Sequence, residues 1–225
     1  MAAFKLIPLL FVLFGISQVA AQKNPVLYAG FEYYRHTGFS EDAFMNFSVG
    51  TQLYHWKIFA PEVGFDHYTG SLPDRIIYEG PFENRMPVGN FHHGFSANLF
   101  TLNPKIKIGK EDAFLTFSPM YHIGRVNARG RYYLLKDNNR LVLEEEQRRS
   151  SPISFWSFSI GVEGLAIQME KYWFSLTLNY TEISAGDALS LLDFSEYDIN
   201  AKDITTTTIG FGLRFYFNPF PVEND

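Results

Sequence analysis

Seven ionisable residues fall on the polar face of alternating segments in this chain: Glu32, Glu62, Asp66 and Glu163 against Lys105, Lys107 and Arg214. Opposed carboxylates and cations can relay ions or protons, or they can pair into a fixed plug, because a buried charge is costly unless it is partnered and hydrogen-bonded. A second set, His92, His93 and Ser96, has the residue types of nucleophilic acyl transfer. On a strand His93 and Ser96 point to opposite faces, and His92 and Ser96 stand ~13 Å apart. Local spacing therefore makes no serine–histidine pair, and a triad would need partners from elsewhere in the chain. A third set, Asp187, Asp193, Glu196, Asp198 and Asp203, offers calcium-type ligands but lacks the ordered spacing of an EF-hand, which favours a solvated acidic loop. No catalytic, cofactor-binding or metal-binding residue is assigned, and no cofactor is expected.

The segments that position these groups alternate with period two. Val26–Arg35 sets Leu27, Ala29, Phe31 and Tyr33 against Tyr28, Gly30, Glu32 and Tyr34. Ala43–Tyr54 sets Met45, Phe47, Val49 and Leu53 against Asn46, Ser48, Gly50 and Gln52, and the next run sets Val63 and Phe65 against Glu62 and Asp66. The fourth is ambiguous: Phe95, Ala97 and Leu99 have one parity, while Phe100, Leu102, Pro104, Ile106 and Ile108 have the other. The second parity is preferred because it turns Thr101, Asn103, Lys105 and Lys107 inward, and a slip of one residue would turn both lysines out. The fifth run, Ala113–Ile123, contains Pro119, which requires a bulge or an unpaired position. Trp156–Glu163, Phe174–Thr181 and Thr208–Phe217 complete eight runs, each near the 9–11 residues of a tilted membrane strand.

The joins alternate too. Short ones lie near His55–Lys57, Gly109–Asp112 and Gln168–Lys171, and long ones span Thr69–Asn90, Asn127–Ser150 and Ala185–Asp203. Short turns on one side and long loops on the other are the pattern of a barrel in an outer membrane. A soluble secreted barrel would reverse the faces; the loop asymmetry and the aromatic residues at the ends of the spans favour the bilayer. Before the first run, residues 1–21 read as a cleaved signal peptide: Lys5, the apolar run Leu6–Phe14, then small residues Val19, Ala20 and Ala21. That run is too short to span, so residues 22–225 are taken as one domain.

Composition agrees. The chain has 17% aromatic residues, including 23 Phe and 13 Tyr, yet a mean hydropathy of only −0.10. One greasy and one wet strand face reconcile the two values. With no cysteine there is no disulfide framework, lipid-modified cysteine or thiolate metal site. The net charge of −5 becomes about −6 when Lys5 leaves with the leader, which argues against a nucleic-acid partner.

The leader, the eight alternating runs, the aromatic ends Tyr54, Trp56, Tyr172 and Trp173, and the closing strand Thr208–Phe217 resemble the small OmpA/OmpX-type outer-membrane barrels. The resemblance covers the mature chain and departs at Asn218–Asp225, which trail beyond the last strand. It implies an all-β, eight-stranded antiparallel up-and-down transmembrane β-barrel with short periplasmic turns and long extracellular loops, in the outer membrane of a Gram-negative bacterium. Eight strands enclose only enough space for side chains, so the seven charges are expected to plug the lumen. A related family of lipid A deacylases uses a His and a Ser two residues apart; His92-His93-Gly94-Phe95-Ser96 lacks that spacing.

The loops carry the remaining expectations. Arg129–Lys136 and Arg140–Glu146 flank Asp137-Asn138-Asn139 as a hairpin, and placing Lys136 opposite Arg140 sets Arg131 across from Glu145. Ile76, Ile77, Tyr78 and Phe82 are expected to fold over the barrel mouth, and Leu189, Leu191, Leu192 and Phe194 to form a short amphipathic helix. Expected partners are outer-membrane lipid and lipopolysaccharide around the wall, and an envelope protein at the loops. Three functions stand: a non-enzymatic barrel presenting surface loops for envelope stability or partner contact, an enzyme acting on lipid A or phospholipid acyl chains, and a barrel subunit of an envelope secretion or assembly complex.

Overall fold

The computed structural model describes residues 25–36, 43–81, 84–110, 113–136, 139–165, 171–197, 199 and 208–219. The expected leader and domain start, Phe82, Asp198, Asp203 and three turn tips lie outside them. Ten strands form among the described residues: β1 (Val26–His36), β2 (Ala43–Gln52), β3 (Glu62–Ser71), β4 (Arg75–Glu79), β5 (Met86–Asn103), β6 (Ile106–Lys110), β7 (Ala113–Lys136), β8 (Arg140–Leu165), β9 (Tyr172–Thr181) and β10 (Thr208–Phe217). All pair antiparallel, in the order β1-β2-β3-β5-β7-β8-β9-β10, and β10 pairs back onto β1 to close a ring of eight. β6 resumes the path of β5 after a break at Pro104 and Lys105, and β4 adds a short strand to the upper half of β5. Leu102 pairs with Tyr121 and Ile106 with Phe117, so Pro119 faces that break, the kind of gap a strand proline requires.

Side-chain polarity reverses part of the way up the ring. In the lower half the outward side chains are apolar, ending in a row Phe65–Phe100–Ile123, while the inward ones include Glu32, Asn46, Glu62, Asp66, Thr101 and His122. One row higher the outward side chains become His67, Asn98 and Arg125, and the inward row becomes Tyr68, Ala97 and Val126. Above this level the interior is a hydrophobic core, with Tyr34, Phe44, Phe91, Leu99, Ala128 and Tyr132 buried together. Below it, polar groups are buried and apolar ones exposed. The two parities seen in the fourth run are the two sides of this switch: Ala97 and Leu99 belong to the upper core, and Phe100 and Leu102 to the lower outer wall.

The upper core is corked by the segment after β9. Helix α1 (Gly186–Leu189) and the following turn bury Ala188, Leu189, Leu192 and Phe194 against the strands. Phe194 packs edge-on to Phe91 at 4.9 Å between ring centroids. A Cβ on Gly130 would lie 2.7 Å from the Phe194 ring, so β7 needs glycine there to seat the cork. The expected helix is present, although it ends before most of the leucines predicted to form it.

Two loop expectations need correction. Ile76 and Tyr78 are exposed because β4 extends as a strand along β5, and only Ile77 packs onto the core. The long join after β9, not the one between β3 and β5, closes the mouth. The long join Asn127–Ser150 is a hairpin of β7 and β8, with Lys136 opposite Arg140 as expected. A bulge at Glu144 then shifts the register, so Arg131 faces Glu146 and not Glu145.

Phe194→Ala is expected to cost about 3–5 kcal/mol as a large-to-small core change. Limited proteolysis should then cut between residues 182 and 208 in the variant while the ring strands stay protected; an unchanged digestion pattern would count against the cork.

Candidate functional site

The lower lumen brings six of the seven charged residues into one alternating chain. Arg214 on β10 donates to Glu32 at 3.0 Å and to Glu62 at 3.1 Å; Lys105 donates to Glu62 at 2.8 Å and to Glu163 at 2.5 Å; Lys107 bonds the other Glu163 oxygen. The order Glu32, Arg214, Glu62, Lys105, Glu163, Lys107 alternates in sign and sums to zero. Neutral partners complete it: Tyr34 and Asn46 donate to Glu32, and Asn103 and Tyr216 to Glu62. All six groups are buried.

Asp66 stands apart. Its carboxylate accepts from Thr101 and lies 3.0 Å from Nδ1 of His122, whose Nε2 is 2.6 Å from the Ser157 hydroxyl. Sequence spacing gave no hint of this set, because its members come from β3, β5, β7 and β8 and meet only through the strand register. Serine, histidine and aspartate at these distances have the geometry of a hydrolytic triad. Ser157 is 0% exposed, however, and Phe155 stacks on the His122 ring at 4.7 Å.

The charge chain is capped at both ends. Beneath it Tyr28, Trp173 and Tyr216 cluster with Val26, with Trp173 and Tyr216 stacked at 5.4 Å. Gly64 makes the room, since a Cβ there would fall 2.1 Å from the Tyr28 hydroxyl. Above it lies the aromatic core around Tyr34, Phe44 and Tyr68. The paired charges thus sit between two aromatic layers.

The histidines of the second set separate. His93 points inward and stacks on Phe91, while His92 points outward and pairs with Asp74 at 2.5 Å. Ser96 lines the same outer surface as His92, a groove of about 710 Å³ on the wall of β3, β5, β7 and β8. Arg129, Arg131 and Arg148 surround Glu146 there, at 2.7, 3.3 and 2.8 Å. The hydrogen bond from Arg129 holds the Glu146 carboxyl down at about 2, with Arg148 adding to it. A depressed carboxylate of this kind favours the folded ribbon above the ordinary carboxylate range, and that contribution is lost only as the pH falls toward 2. In the acidic loop, Asp193 accepts from the Ser195 amide, and Asp187 lies in the first turn of α1.

No protein-family model and no curated protein matches the chain. Among solved structures it is similar to Ail, the attachment invasion locus protein of Yersinia pestis, at 9% identity and a TM-score of 0.42, over 87% of this chain and 98% of that one. A second Ail structure, in complex with the heparin analogue sucrose octasulfate, gives 8% identity and 0.40, over 88% and 99%. The N-terminal β-barrel domain of Pseudomonas aeruginosa OprF gives 12% and 0.36, over 88% and 99%. The fold is an eight-stranded antiparallel barrel. That assignment rests on the closed strand register.

Arg214→Met removes the cation shared by Glu32 and Glu62 and should destabilise the barrel by about 3–5 kcal/mol, as expected when one partner of a buried pair is deleted. Urea unfolding of refolded protein measures it. Adding Glu32→Gln should restore part of the loss, whereas an Arg214→Met midpoint equal to the parent's would mean the network is not holding the strands together.

Proposed function

We propose that this protein is a non-enzymatic integral barrel of the outer membrane of a Gram-negative bacterium, which anchors a stiff extracellular β-ribbon for envelope stability or partner contact. The reversal of side-chain polarity supports this reading above all else. An apolar outer wall over a polar interior suits lipid outside, and a polar outer wall over an apolar interior suits water outside. Eight strands spanning a bilayer satisfy their backbone groups only by closing, as this ring does. Above the switch, β7 and β8 run on together to the turn at Asn139, and β4 and β5 add to the same sheet. The buried charge chain between aromatic layers supports a body that anchors and does not conduct.

One geometry favours a second reading, hydrolysis of acyl chains in the outer leaflet: the Ser157, His122 and Asp66 set. Its nucleophile is enclosed, so the anchor reading takes it as part of the lumen packing.

Purified protein should migrate in a heat-modifiable way on detergent gels, fractionate with the outer membrane and give no steady conductance in planar bilayers. Stable channel currents would contradict the plugged body, and covalent labelling of Ser157 by a fluorophosphonate would overturn the non-enzymatic assignment.

A further inference from the structure

The groove on the outer wall has a built chemistry that an anchor alone does not need. Its floor is a row of small polar side chains in register, Thr69, Ser96, Asn127 and Ser150, and the next row contributes Gly94, which has no side chain. Its rim is Arg129, Arg131 and Arg148. These three guanidinium groups share the single carboxylate of Glu146, and Asp74 is already engaged by His92. Counted over these three cations and Glu146, two positive charges are in excess. Arg148 is 69% exposed, so its donors can reach a ligand.

The height of the groove indicates what meets it. The last apolar outward row is Phe65–Phe100–Ile123, and Thr69 lies four residues further along β3. At strand rise and barrel tilt that is ~10 Å above the edge of the apolar belt, just beyond the hydrocarbon and at the depth of lipid headgroups. Below the groove floor, His67 and Asn98 are hydrogen-bonded at 2.8 Å and Arg125 stands beside them, so polar surface connects the groove to the lipid boundary. A ligand entering from the side would therefore bring its sugar hydroxyls to the floor, its anionic group to the arginines and its acyl chains to the apolar wall. Planar guanidinium groups favour phosphate oxygens in two-pronged hydrogen bonds.

We propose that this groove binds the phosphorylated saccharide headgroup of an outer-leaflet glycolipid. The inference rests on the outer-membrane reading and adds to it a specific lipid site. Its volume of about 710 Å³ falls within the usual range for ligand sites. Glu146 acts as the internal stand-in for the phosphate, holding the three arginines together until the ligand takes its place among them.

Titration of the purified full chain in detergent micelles with bisphosphorylated lipid A, followed by native mass measurement, tests the site. The same lipid A stripped of phosphate and soluble glucose 1-phosphate serve as comparison ligands. Phosphorylated lipid A should bind about tenfold more tightly than the stripped form, and Arg131→Gln with Arg148→Gln should abolish that preference. Glu146→Gln should strengthen binding, because it frees the guanidinium groups; a cluster with a purely structural role would lose affinity instead. Equal binding of the stripped lipid, indifference to the arginine changes or weakened binding by Glu146→Gln overturns the proposal, and glucose 1-phosphate binding as tightly as the lipid overturns its membrane source. Parallel insertion into phosphatidylcholine vesicles, read by the heat-modifiable shift, separates the two claims. Insertion without phosphate preference removes only this site, whereas failure to insert removes the outer-membrane reading and the site together.

Discussion

Alternating side chains force a closed sheet to give one face to its interior and the other to its surroundings, and the outward face of this ring changes from apolar to polar along the strands. In lipid the apolar face must point out and the polar face must find partners within the lumen. In water the same strands must do the opposite. The chain meets both demands without breaking its pairing, by changing residue types at one level: Phe65, Phe100 and Ile123 outside give way to His67, Asn98 and Arg125, as Thr101 and His122 inside give way to Ala97 and Val126. Everything else in the structure follows from where that change falls.

Below it, the interior has to hold charge away from bulk solvent. The alternating chain from Glu32 to Lys107 leaves no member without an opposite charge, and the aromatic layers around Tyr216 and Tyr34 close it from both ends. Above the change, the interior is packed as in a soluble protein, and so it needs a lid. The turn carrying Leu189 and Phe194 supplies one, tied to β8 where Gln147 accepts from the Asp193 amide and Arg149 donates to the Leu191 carbonyl. The outer wall at the same height is free to be polar and positively charged, which is the origin of the arginine groove.

Much of this was legible in the residue order. Period-two alternation located all eight ring positions, and the preferred parity at Thr101, Asn103, Lys105 and Lys107 is the parity of the lower lumen. The competing parity of Phe95, Ala97 and Leu99 is the trace of the polarity change, ambiguous in the residue order because a strand that crosses the change has no single apolar face. Three features were out of reach for other physical reasons. The bulge at Glu144 adds one residue that no local pattern announces, and it moves the partner of Arg131 by one position. The cork depends on a glycine of β7 facing a phenylalanine far along the chain. The Asp66, His122 and Ser157 contacts join three strands whose residues carry no mutual spacing.

The absence of native cysteine allows the polarity change to be measured directly. Single cysteines placed at the outward positions Leu115, Phe117, Ile123, Asn127 and Arg129 of β7, spin-labelled in protein reconstituted into bilayers, report collision with oxygen dissolved in lipid against a water-soluble nickel relaxant. The account predicts high oxygen and low nickel accessibility through Ile123 and the reverse from Asn127 onward. Uniform nickel accessibility along the whole strand would contradict it.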